Sequence, residues 1–142
     1  MKGRSLNTTR ASEPDWLDVL VGFTTSVGDF TVDVTRAWSP RGADRFYNFV
    51  RTGYYDGQRF FRVRKGFIVQ WGLHGDPAII APWKNAVLPD EPRQVSNVRG
   101  TIAYAFTTAG TRSTQIFIST GENTRLDAEG FAPFGRVVEG ME

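Results

Sequence analysis

The 142-residue sequence contains no cysteine, which excludes disulfides, thiolate nucleophiles and cysteine-based metal sites together. It has one histidine, His74, too few for a histidine-built metal site. Without a nucleophile or a second base beside it, His74 is a poor candidate for acid–base catalysis, and it reads as a solvated or backbone-bonded residue of the Gly-rich loop 72–76. Long apolar runs are also missing. No stretch approaches the roughly 18 apolar residues of a membrane span, and residues 1–15 are polar where a secretory leader would be apolar. Charge of one sign is scarce, with a net charge of +2. That is too mild for nucleic-acid binding without a concentrated patch. Strand alternation would split Arg59, Arg62, Arg64 and Lys65 between two faces, and Asp90-Glu91, between Pro89 and Pro92, reads as a charged loop tip before a metal site. The expectation is a cytoplasmic monomer that needs no cofactor or metal and binds neither nucleic acid nor membrane.

What is present is the material of one packed domain: 40% hydrophobic residues and 23% charged, in a chain too short for two ordinary domains. Residues 1–14 read as a flexible polar leader closing at Pro14, and residues 15–142 as the domain. Leu17, Val19, Val21 and Phe23 alternate, as do Phe30, Val32 and Val34, the period of half-buried strands. Between them Ser26-Val27-Gly28-Asp29 supplies turn chemistry, so the pair predicts a hairpin. A helix follows, with Ser39 as N-cap and Pro40 at its first position. Phe46, Phe49 and Val50 form its apolar stripe, and Gly53 is placed to end it in a left-handed conformation. Residues 58–72 predict two strands bent at Lys65-Gly66, and the proline-bearing segment 73–98 a long ordered loop. Residues 100–106, 115–120 and 134–138 predict further strands, with a polar turn over 121–130. Many short strands and an early helix predict a mainly β fold, a closed antiparallel barrel capped by at least one α-helix.

The segment from Phe60 to Gln70 carries the most informative chemistry. Alternation puts Phe61 and Val63 on one side and Phe60, Arg62 and Arg64 on the other. After the bend, Ile68 and Gln70 share a face opposite Phe67, Val69 and Trp71. An arginine among aromatics is expensive to bury unless its donors find acceptors. Arg62 is therefore either a surface residue packing its stem on the sheet or a donor held at an apolar pocket for a ligand carbonyl or nitrogen.

Asn48-Phe49, Gly53-Tyr54-Tyr55-Asp56-Gly57, Phe60-Phe61-Arg62-Val63 and Gly66-Phe67-Ile68-Val69-Gln70 with Gly72 together resemble the cyclophilin signature, F-H-R followed by G-F-(M/I)-x-Q-G-G. Gly100-Thr101-Ile102-Ala103-Tyr104-Ala105 is similar to the family's G-x-(L/V)-x-M-A strand, and Gln115-Ile116-Phe117-Ile118 to its Q-F-F-I. Arg125-Leu126-Asp127 resembles W-L-D, and the run from Phe134 to Met141 resembles the F-G-x-V-x-x-G-M close. The similarity keeps the family's order from about Val19 to the last residue.

This resemblance implies a peptidyl-prolyl cis-trans isomerase acting on proline-containing peptides or unfolded protein clients, and so assisting folding. Arg62 would be the catalytic arginine. Phe67, Ile68, Phe117 and Leu126 would line the proline pocket, with Phe131 at its edge. Gln70 would orient Arg62 and bond the peptide, while Gln115 and the backbone at Ala105 and Phe106 would hold the residues before proline. Several positions depart from the pattern. Phe61 replaces the usual histidine and is expected in the core; Trp71 replaces a glycine and is expected to reshape the next loop. Phe106 stands for asparagine, Arg125 for the tryptophan linked to cyclosporin affinity, and Phe131 for a pocket-edge histidine. The family continues with a second helix and a final strand after the G-M close, so an edge left open, or covered by the leader, is expected. Two other readings remain: a catalytically weak cyclophilin-like module that binds proline-containing peptides, and an unrelated barrel with a small apolar ligand in an open lumen.

Overall fold

A computed structural model of the chain describes residues 2–8, 18–25, 28–83, 86–108 and 110–141, with side chains described from residue 20 onward. Among the described residues nine strands form one curled antiparallel sheet: β1 (Lys2–Thr8), β2 (Asp18–Thr25), β3 (Gly28–Thr35), β4 (Gln58–Arg59), β5 (Arg62–Arg64), β6 (Ile68–Trp71), β7 (Thr101–Tyr104), β8 (Ile116–Ser119) and β9 (Gly135–Glu139). Their order is β4-β1-β2-β3-β9-β7-β8-β6-β5. The hydrogen-bonded order thus has two edges, β4 and β5, where the sequence predicted a closed barrel. The expected leader contains β1, whose backbone pairs with β2 and β4, so β2 has a strand on each side. The predicted hairpin is β2–β3, in register from Asp18↔Thr35 to Thr25↔Gly28; its Ser26-Val27 tip lies outside the described residues.

Helix α1 (Pro40–Thr52) ends as expected at Gly53, whose φ of 76° lets its N–H reach the carbonyls of Phe49 and Val50. Its N-terminus is capped differently. Ser39 makes no side-chain cap; its hydroxyl donates to Glu91 Oε1 at 2.5 Å. The Glu91 carboxylate, from the distant loop, accepts the N–H groups of Arg41 (2.8 Å) and Gly42 (3.2 Å). Glu91 also pairs at 3.1 Å with Arg112, itself 2% exposed. The Asp90-Glu91 loop tip is therefore structural: Glu91 ties the loop and helix to Arg112 before β8, and Asp90 accepts the Gly110 N–H at 2.9 Å. Burial pushes the Glu91 carboxyl up, but hydrogen bonds from Ser39, Arg41, Arg112 and Gly42 outweigh it and hold the group below its ordinary value.

The space inside the curl is filled. Val21, Phe23, Val32, Val34, Phe46, Tyr55, Trp71, Ile102, Ile116 and Phe134 are nearly or wholly buried there. Trp71 lies in contact with the rings of Phe23, Phe30, Tyr55 and Phe60. It is core, not the loop-shaping residue the sequence suggested. Phe61 is the reverse: expected inside, it is 48% exposed. The cause is local. Phe60 and Phe61 form the non-strand link between β4 and β5, so alternation breaks there and Phe60 turns to the core while Arg62 does not. Among the described residues no helix is long and apolar enough to cross a membrane.

The long segment 73–98 has a short helix α2 (Pro77–Ile80), opened by Asp76, whose carboxylate accepts the Ala78 N–H at 2.9 Å, and then a 3₁₀ turn, Ala81–Trp83. His74 accepts the Asp76 N–H at 3.0 Å through Nδ1, the backbone-bonded loop role expected of it.

Candidate active site

Strands β6, β7 and β8 present two apolar faces, and the register assigns residues to each. Trp71, Ile116, Ile118, Ile102 and Tyr104 point into the core, while Ile68, Gln70, Phe117 and Ala103 point outward. The outward set forms a second apolar cluster with Leu126 and, packed against it, Phe67, Ala105 and Phe131. β5 pairs with β6 so that Arg62 stands directly opposite Gln70 and on its face.

All ten residues singled out from the sequence line one external groove of about 740 Å3: Arg62, Phe67, Ile68, Gln70, Ala105, Phe106, Gln115, Phe117, Leu126 and Phe131. The floor is apolar. Phe117 meets Phe131 edge-on at 5.5 Å between centroids, and Phe131 stacks on Phe106 at 4.4 Å. Phe67 was expected on the face of Val69 and Trp71. It belongs instead to the turn before β6, outside the alternation, and lies on the groove side with Ile68. Gln70 donates through Nε2 to Gln115 Oε1 at 2.8 Å, so the two amides act as one polar strip across the groove. Gln70 therefore meets Arg62 as a cross-strand neighbour, and its amide is directed to Gln115. The Ala105 N–H donates to the Gln115 carbonyl at 2.9 Å, fixing the groove's other bank.

The Arg62 guanidinium carbon sits 6.0 Å from the centroid of the Phe67 ring, and that of Arg125 4.9 Å from the same ring. Cation–π attraction of this kind is worth about 0.5–1 kcal/mol at an exposed site. Phe67 is a fixed platform: its carbonyl accepts from Thr120 N–H and Asn123 Nδ2, each at 2.8 Å, and its N–H donates to Arg64 at 2.9 Å. Gly121 permits this approach, since a Cβ there would lie 2.2 Å from the Gly66 carbonyl oxygen. Among the described residues the ion pairs are Arg36–Asp44, Arg93–Asp127 and Arg112–Glu91, so Arg62 and Arg125 carry unpaired positive charge.

Behind the floor lies a polar anchor that the sequence did not disclose. Asp127 accepts from Ser96 Oγ (2.5 Å), Asn97 N–H (2.9 Å) and Asn97 Nδ2 (2.8 Å), and Asn97 Nδ2 also reaches the Phe131 carbonyl at 2.9 Å. This holds the 3₁₀ segment Thr124–Glu129, which carries Leu126, and the following Phe131, against the sheet. Burial raises the Asp127 carboxyl, and the bonds from Ser96 and Asn97 with the nearby Arg93 more than reverse this, leaving it below its ordinary value. The sequence also missed the groove's far wall, made by Leu73, Ile80 and Trp83. Only Asp76-Pro77, a helix-start signal, hinted that this loop had structure there.

Comparison with known proteins agrees with this geometry. The family described as cyclophilin type peptidyl-prolyl cis-trans isomerase/CLD matches residues 20–142. Peptidyl-prolyl cis-trans isomerase A of Dickeya dadantii is 34% identical over 124 residues, covering 84% of this chain and 65% of that protein. A peptidyl-prolyl cis-trans isomerase of Acinetobacter baylyi is 31% identical, covering 88% of this chain and 69% of its own. Among solved structures, a Cryptosporidium parvum cyclophilin type isomerase crystallised in the presence of the dipeptide Ala-Pro superposes with a TM-score of 0.72 at 25% identity, covering 85% of this chain and 79% of that one. A Hirschia baltica cyclophilin, at 20% identity and TM-score 0.68 over 97% of this chain and 68% of its own, shares the fold. The chain belongs to the cyclophilin-type peptidyl-prolyl cis-trans isomerase family. It spans about two thirds of the length of the first of these relatives.

Proposed function

We propose that the groove accelerates cis/trans rotation about X–Pro bonds in proline-containing peptides and unfolded protein clients, with Arg62 as its catalytic residue. Rotation about a peptide bond must break resonance, a barrier of about 18–20 kcal/mol. For X–Pro the isomers differ by only about 0.5–1 kcal/mol, so the obstacle is kinetic, and uncatalysed exchange takes about 10–100 s. No covalent intermediate or proton transfer is required. The protein has only to bind the twisted amide better than either planar form.

In the twisted state the prolyl nitrogen regains its lone pair and becomes a better acceptor. Arg62 donates to it, and because a guanidinium stays charged throughout the physiological range the effect does not depend on protonation. The apolar floor formed by Phe117, Leu126 and Phe131 receives the proline ring, with Phe67 and Ile68 beside it. The Gln70–Gln115 strip and the Ala105–Phe106 backbone hold the residues before proline. The observation that carries the reading is a guanidinium with no ion pair among the described residues, seated on an aromatic platform at the rim of an external apolar groove, beside a fixed amide strip. The filled interior argues against an apolar ligand in a lumen. We also read the curled sheet as a closed barrel, since its two edge strands have only Phe60 and Phe61 between them.

The test is exchange NMR on a blocked Ala–Pro peptide with catalytic amounts of the chain. Isomer exchange well above the uncatalysed rate supports the reading. Peptide binding in the groove without faster exchange would assign a binding module instead.

A further inference from the structure

Beyond the proline pocket the groove continues into a second depression of about 470 Å3 bordered by Arg62, Arg64, Lys65, Arg125 and Glu129, with Phe67 and Asn123 between them. Four cations meet one carboxylate there. Among the described residues none of the four joins an ion pair. Strand alternation from the sequence alone puts Arg62 and Arg64 on one face but says nothing of Arg125 and sends Lys65 to the other. The turn over residues 65–67 and the 3₁₀ segment Thr124–Glu129 bring them together instead. The depression is also built firmly, because Phe67, which both Arg62 and Arg125 overlie, is held through its carbonyl by Asn123 and Thr120.

We infer that this cationic depression selects proline-containing peptides with an acidic side chain one or two residues after the proline. The inference rests on the isomerase reading above, which sets the peptide's direction. Residues before proline lie along Gln115 and Ala105, and Phe67 and Leu126 border both depressions, so the chain leaving the proline pocket passes toward Arg64, Lys65 and Arg125. An extended strand advances about 3.3 Å per residue, so the first two side chains after proline fall within the charged rim. Arg125 supplies a planar donor fork suited to a carboxylate, and Arg64 and Lys65 add charge around it. Glu129 faces the same space and repels anions, but it stands against four cations. Arg62 remains engaged at the proline nitrogen, leaving three cations for the incoming acid.

Exposed charge pairs of this type contribute modestly and are screened by salt. The experiment compares blocked Ala-Ala-Pro-X-Ala peptides with X as Glu, Gln or Lys, together with a control carrying Glu two residues before proline. Both exchange rate and peptide affinity are measured by NMR. A preference of about 5-fold for Glu over Lys is expected at low salt, shrinking toward equality near 0.5 M salt, where the Debye length is only a few Å. The control peptide should gain nothing over its Gln counterpart. The double variant R64E/R125E should reverse the Glu-to-Lys ratio, and because the ratio is internal to each protein, a change in overall activity does not affect it. Equal rates and affinities for Glu and Lys peptides, or a ratio unmoved by R64E/R125E, would overturn the inference. Peptides that bind with the Glu preference but are not isomerised would uphold it while sinking the isomerase reading. Peptides that do not bind at all would sink both.

Discussion

Arg62 and the pair Gln70–Gln115 divide the work at the level of single residues. In the proposed mechanism Arg62 touches the reacting amide, whereas the 2.8 Å hydrogen bond between the two side-chain amides would fix where the peptide lies. The Gln70→Ala variant frees Gln115 and should raise KM more than it lowers kcat. Adding Gln115→Ala to Gln70→Ala should cost less than the product of the single losses, because residues in one hydrogen bond couple by about 0.5–3 kcal/mol. Additive losses in a double-mutant cycle on kcat/KM would show that the two amides act separately. These residues were legible in the sequence because the motif order around Phe60–Gln70 and Gln115–Ile118 is distinctive. The face of Phe67 was misread, since a turn residue escapes the two-residue period that places Ile68 and Gln70. Asn97 was not legible at all: one asparagine in a loop gives no sign that its amide bridges Asp127 and the Phe131 carbonyl.

Among the elements, the helix α1 was read correctly in its apolar stripe and its Gly53 stop, yet its N-terminal cap comes from Glu91, about fifty positions along the chain, which no local rule reveals. Glu91→Gln leaves Arg112, 2% exposed, as a buried charge without its partner. Breaking a buried pair in this way costs about 3–5 kcal/mol, and urea unfolding at neutral pH should show a loss of that order. The same carboxylate predicts a pH response. Its folded value lies below the ordinary one near 4.5, so its contribution is fully present above that pH and disappears as pH falls through the folded value. Asp127 acts in the same direction. The acid limb of wild-type stability should be steeper than that of Glu91→Gln when unfolding free energy is followed from neutral pH downward. Equal limbs would mean that Glu91 titrates normally. Strand positions were easier to anticipate because alternation at Val21–Phe23 and Phe30–Val34 survives in the β2–β3 register, whereas β1, polar and aperiodic, carries no such signal.

Across the whole molecule, one curled sheet serves two apolar faces, and the same strands that fill the core with Trp71 and Ile116 floor the groove with Phe117 and Ile68. Trp71→Gly, which restores the residue usual in the family, should therefore open a core cavity rather than relax a loop. Truncating a buried aromatic costs about 3–5 kcal/mol, so a loss of unfolding free energy of that size is expected in urea titration, with Arg62 chemistry altered only through lost stability. An unfolding free energy within about 0.5 kcal/mol of wild type, the range of neutral surface changes, would show that Trp71 is dispensable to the core. The most direct measurement is the exchange-NMR rate for one Ala–Pro peptide, recorded with its affinity, for wild type, Arg62→Lys and Arg62→Ala. Loss of one preorganised donor of this kind costs about 2.7–4 kcal/mol, so Arg62→Ala should lower kcat at least about 100-fold while peptide affinity and thermal stability change little. Arg62→Lys should rescue only part of it, because a point charge replaces the planar fork. An Arg62→Ala protein that turns over peptide as fast as wild type would contradict the assignment outright.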